Sequence, residues 1–217
     1  MPNTSKDTIY RFLRSPYGKI IGLKLKKKKY AQKRTKVTLL KDRRFIDKRP
    51  EIIDQRSRVG DLEADFIVSG KNGKGVLLVA IERKLRATFL EIIHQVTIDE
   101  VHNAFVEIQK RFSEMKTLTL DNDILFQMHK TLEKILGIKI YFCHPYHSWE
   151  KGSVENVNKF IRKYIPKGSN LANYDKEYIV WLEKKCNERY MKCLKYATPQ
   201  EKLNEYSKKK SKYKKTA

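Results

Sequence analysis

A chain of 217 residues has room for one core domain with appendages, and this one carries 48 Lys and Arg against 25 Asp and Glu, a net charge of +23. Its longest strongly apolar run, Val76–Ile81, is far too short to span a bilayer, and no signal-peptide pattern opens it. Cys143, Cys186 and Cys193 lack the paired spacing of a zinc site or a disulfide framework, which fits a reducing, cytosolic setting.

The charge is unevenly placed. Residues 24–49 hold 13 Lys and Arg against 2 acids, residues 207–217 hold 6 against none, and the body from 50 to 206 is close to neutral with 25 against 22. Basic arms around a neutral body are the pattern of a polyanion-binding protein whose middle has another task. Solvated linkers can also be basic, but an excess of this size favours nucleic acid.

At the start of the chain, Ser5 to Leu13 predicts a short helix capped by Ser5 and ended by Pro16 and Gly18. It reads as a recognition-type helix or as an ordinary amphipathic one. Residues 21–51 have little periodicity and form a basic linker arm, in which Lys26, Lys27, Lys28, Lys29, Arg43 and Arg44 are candidate phosphate contacts. The globular core is expected over 52–168, followed by C-terminal helices and a basic tail over 169–217.

Within the core, residues 60–68 alternate with a strand's period of two. That register puts Asp61, Glu63 and Asp65 on one face and Leu62, Ala64 and Phe66 on the other. Three acids on one strand face repel each other unless cations or donors stand there. Gly70 to Gly75, with Asn72-Gly73, predicts a hairpin turn; Val76–Glu82 returns as a buried strand and Arg86–Ile93 supplies a third. Thr97 caps a helix running to about Phe112.

Thr117–Leu120 is a strand that runs into Asp121-Asn122. An amphipathic helix follows, then a strand at Ile138–Phe142 that ends in His144-Pro145. The next helix has Val154, Val157, Ile161 and Tyr164 on one face and Glu155, Asn158, Lys159 and Arg162 on another. Tyr174–Lys195 predicts a further helix whose stripe Ile179, Leu182, Cys186, Tyr190, Cys193 makes both cysteines core residues, and Thr198 starts a last short helix. This order predicts an α/β fold: a mixed sheet flanked by helices, with a basic N-terminal arm and a helical C-terminal extension.

The layout delivers Asp65 in mid-strand, Asp121 at a strand's C-terminal end and Glu155 on a helix, with 33 residues between the last two. Three such carboxylates brought together can hold two divalent ions for in-line displacement at phosphodiesters. A surface row of ion pairs would give the same helix pattern, and no Ser or Cys sits in a pattern that would activate it as a nucleophile.

The residues around these acids resemble a known family. Gly60-Asp61-Leu62-Glu63-Ala64-Asp65, Thr119-Leu120-Asp121-Asn122, and His144-Pro145-Tyr146 with Trp149-Glu150-Lys151-Gly152-Ser153-Val154-Glu155-Asn156 are similar to the three carboxylate motifs of the insertion-sequence-thirty family of bacterial DDE transposases. That family lies in the retroviral-integrase superfamily, with a ribonuclease-H-like fold. The resemblance continues through Asn158, Arg162, Tyr164, Pro166-Lys167-Gly168, Asn187-Glu188-Arg189 and Thr198-Pro199, and Thr8-Ile9-Tyr10-Arg11 resembles the end of the family's helix-turn-helix. Three departures stand out. Asp123 replaces the usual Gly and adds an acid near the metals, and Leu62 replaces an aromatic. The chain also starts where the family would already have a DNA-binding domain, so an N-terminal truncation is expected, with residues 1–20 its remnant.

The resemblance implies DNA transposition: metal-dependent end cleavage followed by strand transfer. Asp65, Asp121 and Glu155 would be the catalytic metal ligands, with Glu63 in reserve, for two Mg2+ (or Mn2+) ions, since hard oxygen ligands suit a hard ion. Asn158, Lys159, Arg162 and Lys167 would join the arm as DNA contacts. Element ends and target in double-stranded DNA are the implied partners, with action as a homo-oligomer in the cytoplasm of a bacterium, associated with the nucleoid. His144 and His147 flank the site, where hydrogen-bonded loop histidines are the ordinary reading and a helper role the alternative; Trp149 packs the helix start by default or stacks a base. Two other classes remain open at this point: a catalytically inactive DNA-binding remnant or regulator, and an RNA-associated basic protein.

Overall fold

A computed structural model describes residues 5–20, 42–145 and 147–215. Residues 1–39 and 40–217 are separate packing units. In the first, α1 (Lys6–Arg14) is capped as the sequence predicts, Ser5 Oγ accepting from the Thr8 N–H at 3.3 Å. Pro16 does not stop helical structure but begins α2 (Pro16–Ile20). A proline at the first helical position gives up only an N–H that has no helical partner there. Lys26, Lys27, Lys28 and Lys29 lie outside the described residues.

The second unit has a 3-10 turn at Ile46–Lys48 and the short α3 (Glu51–Asp54) ahead of five strands: β1 (Asp61–Val68), β2 (Val76–Glu82), β3 (Thr88–Ile93), β4 (Thr117–Leu120) and β5 (Lys139–Phe142). Their order is β3-β2-β1-β4-β5. The first three form the antiparallel meander that the Asn72-Gly73 turn predicts, and β4 and β5 add in parallel on the far side of β1. Parallel strands need long crossovers, and α4 (Ile98–Arg111) and α5 (His129–Leu136) supply them. Thr97 caps α4 by accepting from Glu100 N–H at 3.2 Å, and Gly137 ends α5 in the left-handed region at φ 65°.

Alternation along β1 feeds two apolar layers. Leu62 and Ala64 pack with Phe105 and Ile108 of α4 and Leu132 of α5. Ile67 faces the other way, with Leu77 and Val79, against Val154, Val157 and Ile161 of α6 (Gly152–Ile161) and Ile179, Leu182 and Cys186 of α7 (Lys176–Asn187). Each Val, Leu, Ile or Phe among them, fully buried, contributes about 1.5–3 kcal/mol. At the entry to β1 a side chain is impossible. A Cβ on Gly60, whose φ is 110°, would stand 2.1 Å from the Glu114 carbonyl oxygen.

Three expectations need correction. Packing on the sheet begins before residue 52: the Phe142 N–H donates to Arg44 O at 2.8 Å and Arg49 donates to the Thr119 hydroxyl at 3.1 Å, so 42–51 belong with the core rather than with a free arm. The helix expected over 174–195 ends at Asn187, whose side chain bonds both the N–H and the C=O of Thr88, each at 2.8 Å. The stripe therefore stops at Cys186, and Tyr190 and Cys193 are exposed. The last helix is long: α8 runs Pro199–Lys215, opened by a reciprocal cap in which Thr198 Oγ1 accepts from Glu201 N–H and Glu201 accepts from Thr198 N–H. Among the described residues no helix is long and apolar enough to cross a membrane.

Candidate active site

Asp61, Glu63 and Asp65 do share one face of β1, and each meets its own cation. Arg58 Nε stands 2.9 Å from Asp61, which also accepts from the Thr117 hydroxyl at 2.7 Å. Arg83 lies 2.8 Å from Glu63, with both side chains almost fully buried. Asp65 has Lys151, whose Nζ is 3.1 Å from Oδ1. Repulsion along the strand is thus answered residue by residue, and Glu63, the reserve ligand, is committed to a structural pair.

The parallel pairing of β1 with β4 sets Glu63 beside Thr119. Two residues further along both strands, that register brings Asp65 next to Asp121. Asp121 Oδ1 accepts from the Asp123 N–H at 3.1 Å, while Oδ2 stands 3.1 Å from the same Lys151 Nζ. Asn122 ties this strand end to its neighbour by donating to Cys143 O at 2.7 Å. Asp123 does not join the acids; its side chain caps the turn at Ile124–Phe126 by accepting from Leu125 N–H.

Lys151, Glu155 and Asn158 follow one another at steps of four and three, which places them on one face of α6 and its entry. Asn158 Nδ2 donates to Asp65 Oδ2 at 2.9 Å. Glu155 therefore lies between two residues that both touch Asp65. It makes no hydrogen bond or ion pair among the described residues, and the three carboxylates do not close to within 4.8 Å of one another.

Lys151 is the residue that sequence reasoning missed. Its side chain is only 8% exposed, against 22% for Asp65 and 36% for Asp121. Burial opposes its charge, but the Asp121 and Asp65 carboxylates outweigh that and hold its pKa above the ordinary lysine value. Burial pushes the Asp65 pKa up; Lys151 pulls it down and Asp121 adds to the rise. The spacing with Glu155 and Asn158 was the available signal.

The site suits a cation, since Asp65 and Asp121 already hold one between them in the form of a primary ammonium. Its donors are carboxylate oxygens, the hard set that magnesium and manganese prefer.

The other predicted contacts divide. Lys159 and Lys167 are exposed, and Arg162 donates to Pro166 O at 3.3 Å. Asn158 is engaged with Asp65. Arg44 pairs with Glu133 at 2.7 Å, and Arg43 lies over the rings of Phe45 and Phe142. Tyr146 and the side chain of Trp149 lie outside the described residues.

The chain is 37% identical over 209 residues to the transposase for insertion sequence element IS4351 of Bacteroides fragilis, covering 93% of this chain and 64% of that protein. It is 33% identical over 158 residues to transposase InsI for insertion sequence element IS30A of Escherichia coli strain K12, covering 72% of this chain and 41% of the relative. It thus spans less than two thirds of either relative. The catalytic core domain of BIV integrase superposes with a TM-score of 0.53 at 19% identity, covering 70% of this chain and 98% of that one. No protein-family model matches. By sequence the chain is a homologue of the insertion-sequence transposases, those of IS30 among them, built on the α/β fold of the retroviral integrase catalytic core.

Proposed function

We propose that this chain cuts and joins DNA strands in a metal-dependent reaction, as the core of a DDE-type transposase, with Asp65, Asp121 and Glu155 as ligands for two magnesium or manganese ions. The observation that carries this reading is the shared ammonium. Two acids from adjacent parallel strands turn one oxygen each toward a single buried positive charge, and a third acid rides on the helix that delivers that charge. Structural ion pairs elsewhere on β1 take one acid and one cation each.

Asp65, Asp121 and Glu155 would hold divalent ions, which when bound would supply activation of the attacking oxygen and stabilisation of the leaving 3′-oxygen. The chain's own residues do the positioning. Asn158 donates to Asp65 Oδ2, leaving Oδ1 for a cation, and the Asp123 N–H does the same for Asp121 by engaging Oδ1. Lys151, once displaced from between the acids, offers its ammonium to a substrate phosphate. Exposed Lys159 and Lys167 and the basic segments add phosphate contacts that do not read sequence. Element ends and target DNA are the substrates, and the chain acts on them as a homo-oligomer.

The test uses end-labelled duplex carrying the inverted repeats that flank the coding sequence, with magnesium, manganese or EDTA. Wild-type chain is expected to nick and join strands only with metal. Glu155→Gln keeps the shape and loses the charge; it is expected to bind duplex normally and cut none. Cutting that survives in Glu155→Gln sinks the site assignment. Duplex that wild type binds but never cuts, with either metal, sinks the activity and leaves a DNA-binding remnant.

A further inference from the structure

The loop after β5 reads His144-Pro145-Tyr146-His147-Ser148-Trp149-Glu150, so that His, His and Glu recur every third residue. It ends in a 3-10 turn at Ser148–Lys151, a geometry that stacks residues three apart. His144, His147 and Glu150 each present a ligand atom within 4.8 Å of the others, the one group of three to do so among the described residues. His144 Nδ1 lies 3.0 Å and His147 Nδ1 3.5 Å from Glu150 Oε1. Ligands about 2.0–2.1 Å from a tetrahedral ion stand roughly 3.3–3.4 Å apart, so these two distances straddle what zinc needs.

The surroundings of His144 strengthen the case. Its far nitrogen, Nε2, is 2.8 Å from Asp47 Oδ2, and its ring stacks on Phe45 with centroids 5.2 Å apart and planes 4° from parallel. Metal-bound imidazoles commonly donate their other N–H to a carboxylate, which fixes the tautomer and aims the free lone pair at the ion.

We propose that His144, His147 and Glu150 form a second metal site, separate from Asp65 and Asp121, that takes a borderline transition ion such as Zn2+, with Asp47 as the outer partner of His144. Two imidazoles and a carboxylate suit zinc and its neighbours rather than magnesium, and three protein ligands leave a fourth position for water. Binding displaces the proton from His144 Nδ1 to solvent. Lys151 follows Glu150 directly and α6 begins at Gly152, so an ion here fixes the end of β5 to the start of the helix that bears Glu155. Simple histidine–carboxylate ion pairs are the competing account, and they take up no metal. The proposal does not depend on activity toward DNA.

Isothermal titration of zinc chloride into the full chain, with magnesium in excess to occupy all-oxygen sites, is expected to show one ion per chain. Cobalt in its place is expected to give tetrahedral visible absorption bands. His147→Ala and Glu150→Gln are each expected to weaken zinc binding at least about tenfold with an unchanged circular dichroism spectrum, while Cys193→Ser, which removes the exposed thiol, leaves it intact. No stoichiometric uptake, uptake that survives His147→Ala, or uptake lost in Cys193→Ser overturns the proposal.

Discussion

Lys151 Nζ stands 3.1 Å from Asp65 Oδ1, on a side chain more deeply buried than the acid it serves. Because the same ammonium is shared with Asp121, metal and lysine compete for one position. Lys151→Met is expected to bind Mn2+ more tightly than wild type, since the resident cation is gone. In EDTA the variant should be less stable by about 1–2 kcal/mol, between an exposed pair (about 0–1) and a fully buried one (about 3–5). Thermal melts with and without manganese measure both. A metal-induced shift no larger than that of wild type would show that Lys151 does not occupy the cation position.

Asn158 separates two roles that its sequence position left joined. As a donor to Asp65 Oδ2, it orients a ligand; as the DNA contact that the resemblance implies, it does not. Asn158→Ala is expected to weaken manganese binding roughly tenfold, as loss of an outer-shell partner does, and to change stability by no more than about 1 kcal/mol. Unchanged metal affinity with weakened duplex binding would return Asn158 to the DNA.

For Lys159 and Lys167, both exposed, the measurement is the salt dependence of duplex binding. Each phosphate contact contributes roughly −0.9 to the slope of log affinity against log salt. Lys159→Ala and Lys167→Ala are each expected to flatten that slope by about 0.9 on random duplex and on element ends alike. An unchanged slope in either variant removes that lysine from the contact surface.

Glu82 gives a pH signature outside the candidate site. Burial pushes its pKa above the ordinary 4.5, and N–H donors from Leu85, Gly60 and Lys84 only partly offset that. A raised carboxyl pKa means that its share of stability is present below pH 4.5 and is lost as pH rises through the folded-state value. Urea unfolding of wild type and Glu82→Gln at several pH values from 4 upward should therefore show wild type losing ground to the variant as pH rises. A difference that is flat, or that grows the other way, would rule out the raised pKa.

Much of this was written locally in the chain. The period of two along residues 60–68 correctly assigned Leu62 and Ala64 to one layer and Asp65 to the opposite face, because a half-buried strand has no other way to separate them. Thr97 marked its helix for an equally local reason, a hydroxyl that satisfies an otherwise orphaned N–H. What the sequence concealed depends on distant partners. Tyr190 and Cys193 continue a helical stripe on paper, but Asn187 turns to the backbone of Thr88 on β3 and the helix stops. Arg43 and Arg44 look like arm residues until Phe142 and Glu133 are beside them. Lys151 was overlooked for the same reason, despite its spacing with Glu155 and Asn158. A lysine beside a glycine reads as surface, and only the closing of α6 over β1 buries it.

The sequence separation of 93 between Asp65 and Asn158 is also an interval of time. At about 5–20 residues per second, β1 is made roughly 5–20 s before the helix that orients its last acid, and contacts so far apart in sequence form late. A ribosome-bound fragment that stops short of α6 can form the β1-β2-β3 meander, yet it has neither the ammonium between Asp65 and Asp121 nor the amide on Asp65. Whatever chemistry these acids perform is therefore withheld from chains that have not yet reached α6.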